Sequence, residues 1–421
     1  MSTTKFHRLP NGLPVLAVPM PGTDSATVLA LVHIGSRHEN VTEKGLSHVL
    51  EHMLFKGTQK WPTAKELSQT LDGVGADYNA FTSKEHTGYY VKVASQHLPL
   101  AIDVVADMVW QPRLDGAELG REKKVICEEI KMYEDNPIMH IGDLLEGAVF
   151  QGSSLGVNIA GSQRSVVALR RAQVAGYHRR HYAPKRMLLV VAGKISTATQ
   201  RFIQMRFNER RPTAALREAP FVARQRTPRV AIQKKDTQQV QLALGFPSYG
   251  WRDKRFLALE LLATVLGGNM SSRLFLRLRE REGLCYSIQA LADQYQGTGI
   301  FAVQAGLDRA RLEQAIRLIR EELERVVREP IRQEELKKAK EYIKGKLTLA
   351  LEDSSARASW VAKEFMFEHS REAPHEFMAR LERVPAHALQ KAAADILKLN
   401  QASLALIGPF SSAAPWHKLL A

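Results

Sequence analysis

Two histidines, His48 and His52, lie four residues apart in an apolar stretch of the chain, and Glu51 directly precedes the second. On an α-helix, residues i and i+4 lie on one face about one turn apart, and residue i+3 lies beside them. Two imidazoles in this arrangement can bind one metal ion. Because the neighbouring side chains are apolar on nearly every face, the helix is predicted to be buried. Its polar groups therefore need partners, since burial without them costs a few kcal/mol for each group.

Two interpretations of this stretch are open. In one, the histidines are ordinary core residues with hydrogen-bond partners, and their spacing is accidental. In the other, His48, Glu51 and His52 form an HxxEH motif, the inverse of the more common HExxH motif of zinc enzymes. We favour the metal site, because three polar residues at this spacing inside an apolar helix are harder to explain by chance than one histidine.

A second helix, predicted from Leu119 onward, carries carboxylates on its apolar face. At about 100° per residue, Glu122 and Glu129 fall among the apolar side chains of this helix, whereas Glu128 falls outside them. A buried carboxylate needs a cation or several hydrogen-bond donors. A metal ion held by the two histidines would be one such cation, and a salt bridge to a core arginine is the alternative.

The charge of the chain is unevenly distributed. Its 421 residues have a net charge of +15, with 45% hydrophobic and 24% charged residues. Residues 1–150 carry 14 basic and 19 acidic side chains, whereas residues 151–250 carry 18 and 3. The basic middle segment is compatible with nucleic acid binding, but no aromatic-interleaved or Gly-rich RNA motif accompanies it. We therefore favour a solvated surface, or one that faces an acidic partner.

Nothing in the sequence predicts export or membrane insertion. No apolar run is long enough to span a bilayer. The first residues resemble a β-hairpin with Asn11-Gly12 at its turn, and not a signal or transit peptide. Cys127 and Cys285 lie far apart and form no disulfide framework, so both are predicted to be thiols in a reducing compartment. We therefore expect a cytoplasmic protein.

The second half of the chain repeats the element order of the first, with a period of about 200 residues. The predicted domains are 1–211, which holds the metal motif, a linker at 212–229, and 230–421. In the second copy an apolar helix at 256–266 takes the place of the motif helix but has no histidine, and Leu347 takes the place of Glu129. This asymmetry indicates that the fold does not itself require the polar residues of the first half.

Four segments of the chain resemble the pitrilysin/insulinase family of zinc peptidases, in particular its short members that look like mitochondrial processing peptidase subunits. These segments are HVLEHMLFKGT (48–58), YNAFTSKEHTGYY (78–90), EKKVICEEI (122–130) and LGGNMSSRLFLRLREREGLCYS (266–287). The resemblance extends over nearly the whole chain. It implies that His48, His52 and Glu129 bind Zn²⁺, that Glu122 supports these ligands without binding the metal, and that Glu51 is the general base.

The resemblance also implies how a substrate is held. Arg279 and Tyr286 match a pair that the family uses to hold the substrate, and that could donate to the oxyanion during the reaction. The strand around Asn79 and Ala80 is similar to one that could accept an extended peptide as an added β-strand. The predicted substrates are therefore short or unfolded peptides.

The fold implied by the family is α+β. It has two homologous α/β halves, each an antiparallel sheet flanked by helices, in a clamshell arrangement. Members of this length pair as homodimers, or as an active and an inactive subunit. Because this chain has both the metal motif and the Arg279/Tyr286 pair, we expect a homodimer. The Gly-rich loop of the organelle enzymes is reduced here to Gly267-Gly268 and no presequence is visible, which argues against presequence processing.

These observations predict a zinc-dependent endopeptidase that hydrolyses short or unfolded peptides with metal-activated water. The alternative is a non-catalytic scaffold or substrate-presenting subunit of a heterodimeric peptidase. The HxxEH motif together with Glu129 favours the enzyme.

Overall fold

The computed structural model describes residues 4–213, 216, 221–222 and 225–420. The chain forms two compact units, and each is assembled from three segments. Unit 1 consists of Met1–Lys131, Asn158–Glu218 and Leu347–Ala373. Unit 2 consists of Met132–Val157, Ala219–Lys346 and Pro374–Ala421.

Unit 1 is built on a mixed sheet. Its strands are Lys5–Arg8 (β1), Pro14–Pro19 (β2), Ser25–Val32 (β3), Asp77–Thr82 (β4), Thr87–Ala94 (β5) and Met187–Gly193 (β6). They lie in the order β1-β2-β6-β3-β5-β4, and only the neighbours β2 and β6 are parallel. The predicted hairpin at the start of the chain is β1–β2. Gly12, with φ +91°, takes the left-handed conformation that its turn needs.

The strands of unit 2 are Arg229–Lys234 (β7), Gln239–Ser248 (β8), Cys285–Tyr295 (β9), Thr298–Asp308 (β10) and Ser403–Gly408 (β11). They lie in the order β7-β11-β8-β10-β9, with β7 and β11 parallel. Each of these strands has a counterpart in the repeat, and the counterparts lie in the matching order β2-β6-β3-β5-β4 in unit 1. The internal repeat is therefore present in the topology as well as in the sequence.

Helices cover both sheets. In chain order, the α-helices among the described residues are Leu46–Leu54 (α1), Ala64–Asp72 (α2), Leu98–Trp110 (α3), Gly116–Asp135 (α4), Pro137–Val149 (α5), Gln163–Ala168 (α6), Arg171–His181 (α7), Thr197–Arg206 (α8), Phe256–Gly267 (α9), Leu312–Arg328 (α10), Gln333–Ala350 (α11), Ser354–Met366 (α12), Pro374–Glu382 (α13), Ala386–Ile396 (α14) and Ala414–Leu420 (α15). A π-helix occupies Phe275–Arg281. None of these helices within the described residues is both long enough and apolar enough to cross a bilayer.

The two units exchange one helix each. The helix α5 belongs by sequence to the first half, but it packs on β8 and β11 of unit 2. Conversely, α12 belongs to the second half and packs on β3 and β6 of unit 1. The boundaries predicted from the repeat, 1–211 and 230–421, follow chain order and do not include this exchange. Part of the predicted linker 212–229 lies outside the described residues.

The predicted fold class is confirmed, since each half is a sheet flanked by helices. Two details differ from the sequence prediction. Each sheet contains one parallel pair of strands and is not purely antiparallel. The helix α4 begins at Gly116 and not at Leu119, because Asp115 Oδ1 accepts the backbone N–H groups of Ala117 and Glu118 and so caps an earlier turn.

Polar contacts fix the start of α12 on unit 1. The Asp353 carboxylate accepts the N–H groups of Ser355 and Ala356 at 2.8 and 3.0 Å, and it pairs with Lys92 of β5. The buried Ser354 hydroxyl lies 2.8 Å from Thr27 Oγ1 of β3. Burial of the Asp353 carboxyl raises its pKa, but Lys92, the Ser355 hydroxyl and the Ala356 N–H outweigh this effect and lower the pKa well below the usual range.

Asp353→Ala is expected to destabilise unit 1, because it removes both the helix cap and the ion pair with Lys92. We expect a loss of about 1–2 kcal/mol in the free energy of unfolding, measured by urea titration at pH 7. A carboxyl with a lowered pKa contributes stability above its unfolded pKa and loses it as the pH falls. The difference from wild type should therefore shrink only below about pH 4. Glu352→Ala, which changes an exposed neighbour, is the control, and an equal effect would contradict the assignment.

Candidate metal centre

Two helices of unit 1 carry the residues of the predicted motif. The helix α1 holds His48 and His52 one turn apart, and their ring centroids are separated by 4.7 Å. Leu46, Val49 and Leu50 of the same helix are fully buried. Ile126 and Ile130 of α4 enter the same apolar core, and this packing turns the intervening residue Glu129 toward α1.

Glu129 meets both imidazoles. Its Oε2 atom lies 3.7 Å from His48 Nε2 and 3.5 Å from His52 Nε2. One potential ligand atom from each of these three residues lies within 4.8 Å of the others, and no other such group occurs among the described residues. Glu128 instead pairs with Lys131 at 2.7 Å, and its side chain is 72% exposed. The choice of Glu129 over Glu128 from the helical phase therefore agrees with the geometry.

Glu122 forms a hydrogen bond with the second histidine, His52, through the ring nitrogen Nδ1. His52 Nδ1 donates to Glu122 Oε2 at 3.1 Å, and Lys56 Nζ lies 2.8 Å from Glu122 Oε1. With Nδ1 occupied in this way, His52 presents Nε2 to the centre, which is the usual role of a carboxylate behind a metal-binding histidine. Lys56 was not predicted to have a role. Its spacing was only a partial signal, because Lys56 follows His52 by four residues but lies beyond the end of α1 at Leu54.

Glu51 lies next to the cluster without a strong partner of its own. Its Oε2 atom is buried and has no hydrogen-bond partner among the described residues. Burial raises the pKa of the Glu51 carboxyl, and the Thr82 hydroxyl and His52 partly offset this effect. A carboxyl with a raised pKa and a free oxygen is suited to accept and return a proton at neutral pH.

The two imidazoles differ in their affinity for protons. Burial and the neighbouring His52 lower the pKa of His48 to about 4. Burial also acts to lower the pKa of His52, but its hydrogen bonds to Glu122 and Glu129 prevail and raise it to about 9. The hydrogen bond from His52 in turn lowers the pKa of Glu129. His48 is therefore a neutral imidazole, and the His52 imidazolium together with Lys56 compensates the charges of Glu122 and Glu129.

The cluster fits a zinc ion. Two histidines and one glutamate form a known three-ligand set of catalytic zinc sites, which leaves a fourth position for solvent or substrate. Ligand atoms about 2.0–2.2 Å from a tetrahedral zinc lie about 3.4 Å apart. The two Nε2–Oε2 separations of 3.5 and 3.7 Å are close to this value. A divalent cation would also replace the proton on His52 as the charge that compensates Glu129.

The predicted substrate strand is an edge strand. Asn79 and Ala80 lie on β4, which pairs with β5 on one side and ends the sheet of unit 1 on the other. Asn79 is exposed, and its side-chain oxygen accepts the N–H of Ala80 at 2.9 Å. Contacts between β4 and α1 place this strand beside the helix that carries the histidines.

The predicted substrate-holding pair lies in unit 2. The Arg279 guanidinium, on the π-helix, lies 5.3 Å from the ring centroid of Tyr286 and 4.8 Å from that of Phe275. Tyr286, near the start of the edge strand β9, is 75% exposed. Arg279 and Tyr286 therefore contact each other, and the tyrosine is open to solvent.

Comparison with known proteins identifies the family. Residues 15–163 match the family model of insulinase (peptidase family M16), and residues 168–343 match that of the peptidase M16 inactive domain. An uncharacterised zinc protease of Mycobacterium tuberculosis is 35% identical over 96% of this chain and 93% of its own length. Another, from Bacillus subtilis, is also 35% identical and is matched over 98% of its length.

Solved structures show the same fold. A protease from Helicobacter pylori is similar with a TM-score of 0.90 at 23% identity, covering 97% of this chain and 99% of that one. A structure described as a peptidase M16 inactive domain, from Pseudomonas fluorescens, has a TM-score of 0.89 at 18% identity, with coverage of 98% and 99%. Together with the family matches and the 35% identity to named zinc proteases, these similarities confirm that the chain belongs to the insulinase, or M16, family of peptidases.

Proposed function

We propose that this protein is a zinc-dependent endopeptidase in which His48, His52 and Glu129 bind the metal and Glu51 is the general base. One observation supports this assignment above all others. The two imidazoles and the carboxylate converge from separate helices, with Glu129 Oε2 within 3.7 Å of both Nε2 atoms. The curated relatives named as zinc proteases support the same chemistry.

The mechanism assigns a separate task to each side chain. Zinc held by the three residues would supply a Lewis acid that activates water and polarises a carbonyl at neutral pH. Glu51, with one free buried oxygen, accepts the proton of the attacking water and returns it to the leaving amine. Glu122 keeps the His52 ring in one orientation through Nδ1, and Lys56 compensates the charge of Glu122.

The substrate proposal rests on β4. An extended peptide can add to the free edge of this strand by main-chain hydrogen bonds, which a folded protein cannot easily offer. Asn79 and Ala80 would then lie beside the substrate backbone. For Arg279 and Tyr286 the proposal of a substrate-holding role rests on the sequence resemblance alone. We therefore propose short or unfolded peptides as the substrate class. Homodimer formation and a cytoplasmic location stay predictions from the sequence.

A non-catalytic subunit is the rival proposal. The description of the second family model as an inactive domain fits the second half of the chain, in which the helix α9 carries no histidine. It does not extend to the first half, in which the complete set of His48, His52, Glu129 and Glu51 is present. We therefore propose an active chain whose second half has a supporting role.

Glu129→Gln is expected to reduce zinc affinity strongly, because an amide oxygen is a weaker, uncharged ligand. We expect zinc affinity to fall by more than the roughly 10–100-fold that follows removal of a residue hydrogen-bonded to a metal ligand. The matched control is Glu128→Gln, which makes the same change at the adjacent, exposed position. Zinc content after dialysis and competition with a chromophoric chelator measure both variants. Retention of zinc by Glu129→Gln together with loss by Glu128→Gln would show that the ligand assignment is wrong.

Glu51→Gln is expected to abolish most peptide hydrolysis while zinc stays bound, since Glu51 is not a ligand in this proposal. Loss of the general base should reduce kcat by about 100-fold or more. The measurement is cleavage of a fluorescence-quenched, unstructured peptide, with zinc content determined on the same sample. Wild-type cleavage should also stop with a chelator and return with added zinc. Unchanged hydrolysis by a zinc-loaded Glu51→Gln variant would exclude the mechanism.

A further inference from the structure

The first turn of α1 lacks a cap of its own. The residue at the N-cap position is Gly45, which has no side chain to accept the free N–H groups of the helix. Another residue type is excluded there for two reasons. Its φ is +87°, and a Cβ atom at this position would lie 2.5 Å from the carbonyl oxygen of Ala160. The cap must therefore come from elsewhere in the chain.

Glu39 supplies that cap from six residues upstream. Its carboxylate accepts the N–H of Gly45 at 2.7 Å and that of Ser47 at 2.6 Å, one with each oxygen. Glu39 is buried, with a relative exposure of 9%. Burial raises the pKa of Glu39 to about 7, and the hydrogen bonds from Ser47 and Gly45 act against this rise. Both bonds and the helix dipole favour the ionised form of this carboxyl group.

A second contact anchors the same turn, and it comes from a residue far downstream in the sequence. The Ser47 hydroxyl lies 2.8 Å from the hydroxyl of Tyr177, a fully buried residue of α7. Ser47 is itself 1% exposed. Its backbone and its side chain are thus both fixed, the first by Glu39 and the second by Tyr177.

This turn carries His48, and the two candidate histidine ligands are held differently. His52 is oriented through Nδ1 by Glu122. By contrast, His48 Nδ1 is buried without a hydrogen-bond partner in the part of the chain that the structure describes. No side chain there fixes the ring of His48 by a hydrogen bond to this atom. Its position therefore depends on the backbone that carries it, and that backbone is the turn held by Glu39.

We propose that Glu39 is a positioning residue of the metal centre. Glu39 holds the first turn of α1 in place, and Tyr177 contributes through its contact with Ser47. This turn places His48 so that its Nε2 atom can bind the zinc. This inference rests on the proposed function, because it takes His48 to be a zinc ligand. Glu39 takes no part in the chemistry and is not one of the three proposed ligands. It affects the reaction only by fixing the position of the His48 imidazole.

Glu39→Gln tests this role with little change in shape. The amide keeps one acceptor but turns an NH₂ group toward a backbone N–H, so that one of the two bonds is lost. Glu43→Gln is the matched control, because it makes the same substitution in the same loop, where the carboxylate pairs with Arg180 and does not bind the amides of α1. Both are prepared as full-length proteins and compared well below their unfolding temperatures.

The measurements are the zinc dissociation constant, the visible spectrum of the Co²⁺-substituted protein, and kcat and KM for a quenched peptide. For Glu39→Gln we expect zinc binding weaker by about 10–100-fold. The d–d bands of Co²⁺ should change, and kcat should fall with little change in KM, since β4 is not altered. Glu43→Gln should match wild type in each measurement. A merely structural role would lower the unfolding temperature and leave the Co²⁺ spectrum of the folded protein unchanged.

Wild-type zinc affinity and an unaltered Co²⁺ spectrum in Glu39→Gln would overturn the proposal, even if the wild-type enzyme is an active zinc peptidase. A wild-type protein that binds no zinc would overturn the proposed function first, and this inference with it. If Glu39→Gln does not fold, Tyr177→Phe decides, because it removes only the hydroxyl that anchors Ser47. It should weaken zinc binding in the same direction and to a smaller extent, and no change in the Co²⁺ spectrum would reject the role of this turn.

Discussion

The centre of unit 1 depends on the compensation of charge between two helices that pack through apolar faces. Burial of Ile126 and Ile130 on α4 brings Glu122 and Glu129 into the same region as the histidines of α1. Two carboxylates cannot remain ionised there without cations nearby. Lys56 and the His52 imidazolium compensate them, and a divalent ion bound through the Nε2 atoms would do so more strongly.

The internal repeat separates what the fold needs from what the chemistry needs. The sheet orders β2-β6-β3-β5-β4 and β7-β11-β8-β10-β9 are equivalent, so both halves satisfy the same topological constraints. Yet α9, the counterpart of α1, is apolar along most of its length. Its Thr264 hydroxyl donates to the backbone carbonyl of Glu260 in the same helix. A sheet of this kind can therefore be covered without buried histidines. Their presence in α1 is explained by a ligand more readily than by packing.

Local patterns predicted those features that depend on neighbours in sequence. Helical phase was enough to choose Glu129 over Glu128, and the Asn11-Gly12 turn was enough to place the hairpin β1–β2. The exchange of α5 and α12 between the units could not be predicted, because an amphipathic pattern shows that a helix is buried but not which sheet buries it. The start of α5 did carry a signal, since Asn136 and Pro137 are a favourable N-cap and first residue. The parallel pairing of β2 with β6 likewise depends on contacts between residues that are distant in the chain.

The same limit explains why the support of the centre was only partly predicted. Glu122 interrupts the apolar face of a helix and is therefore visible in the helical periodicity. Glu39 lies in a polar loop, where a glutamate is ordinary and predicts no special role. Its importance arises from a steric fact in another part of the chain, the approach of Ala160 to Gly45, which removes the ordinary side-chain cap. The two histidines thus depend on different kinds of support, a side-chain hydrogen bond for His52 and an anchored backbone for His48. A centre held in this way is expected to respond to changes in the loop after β3, although that loop contributes no ligand.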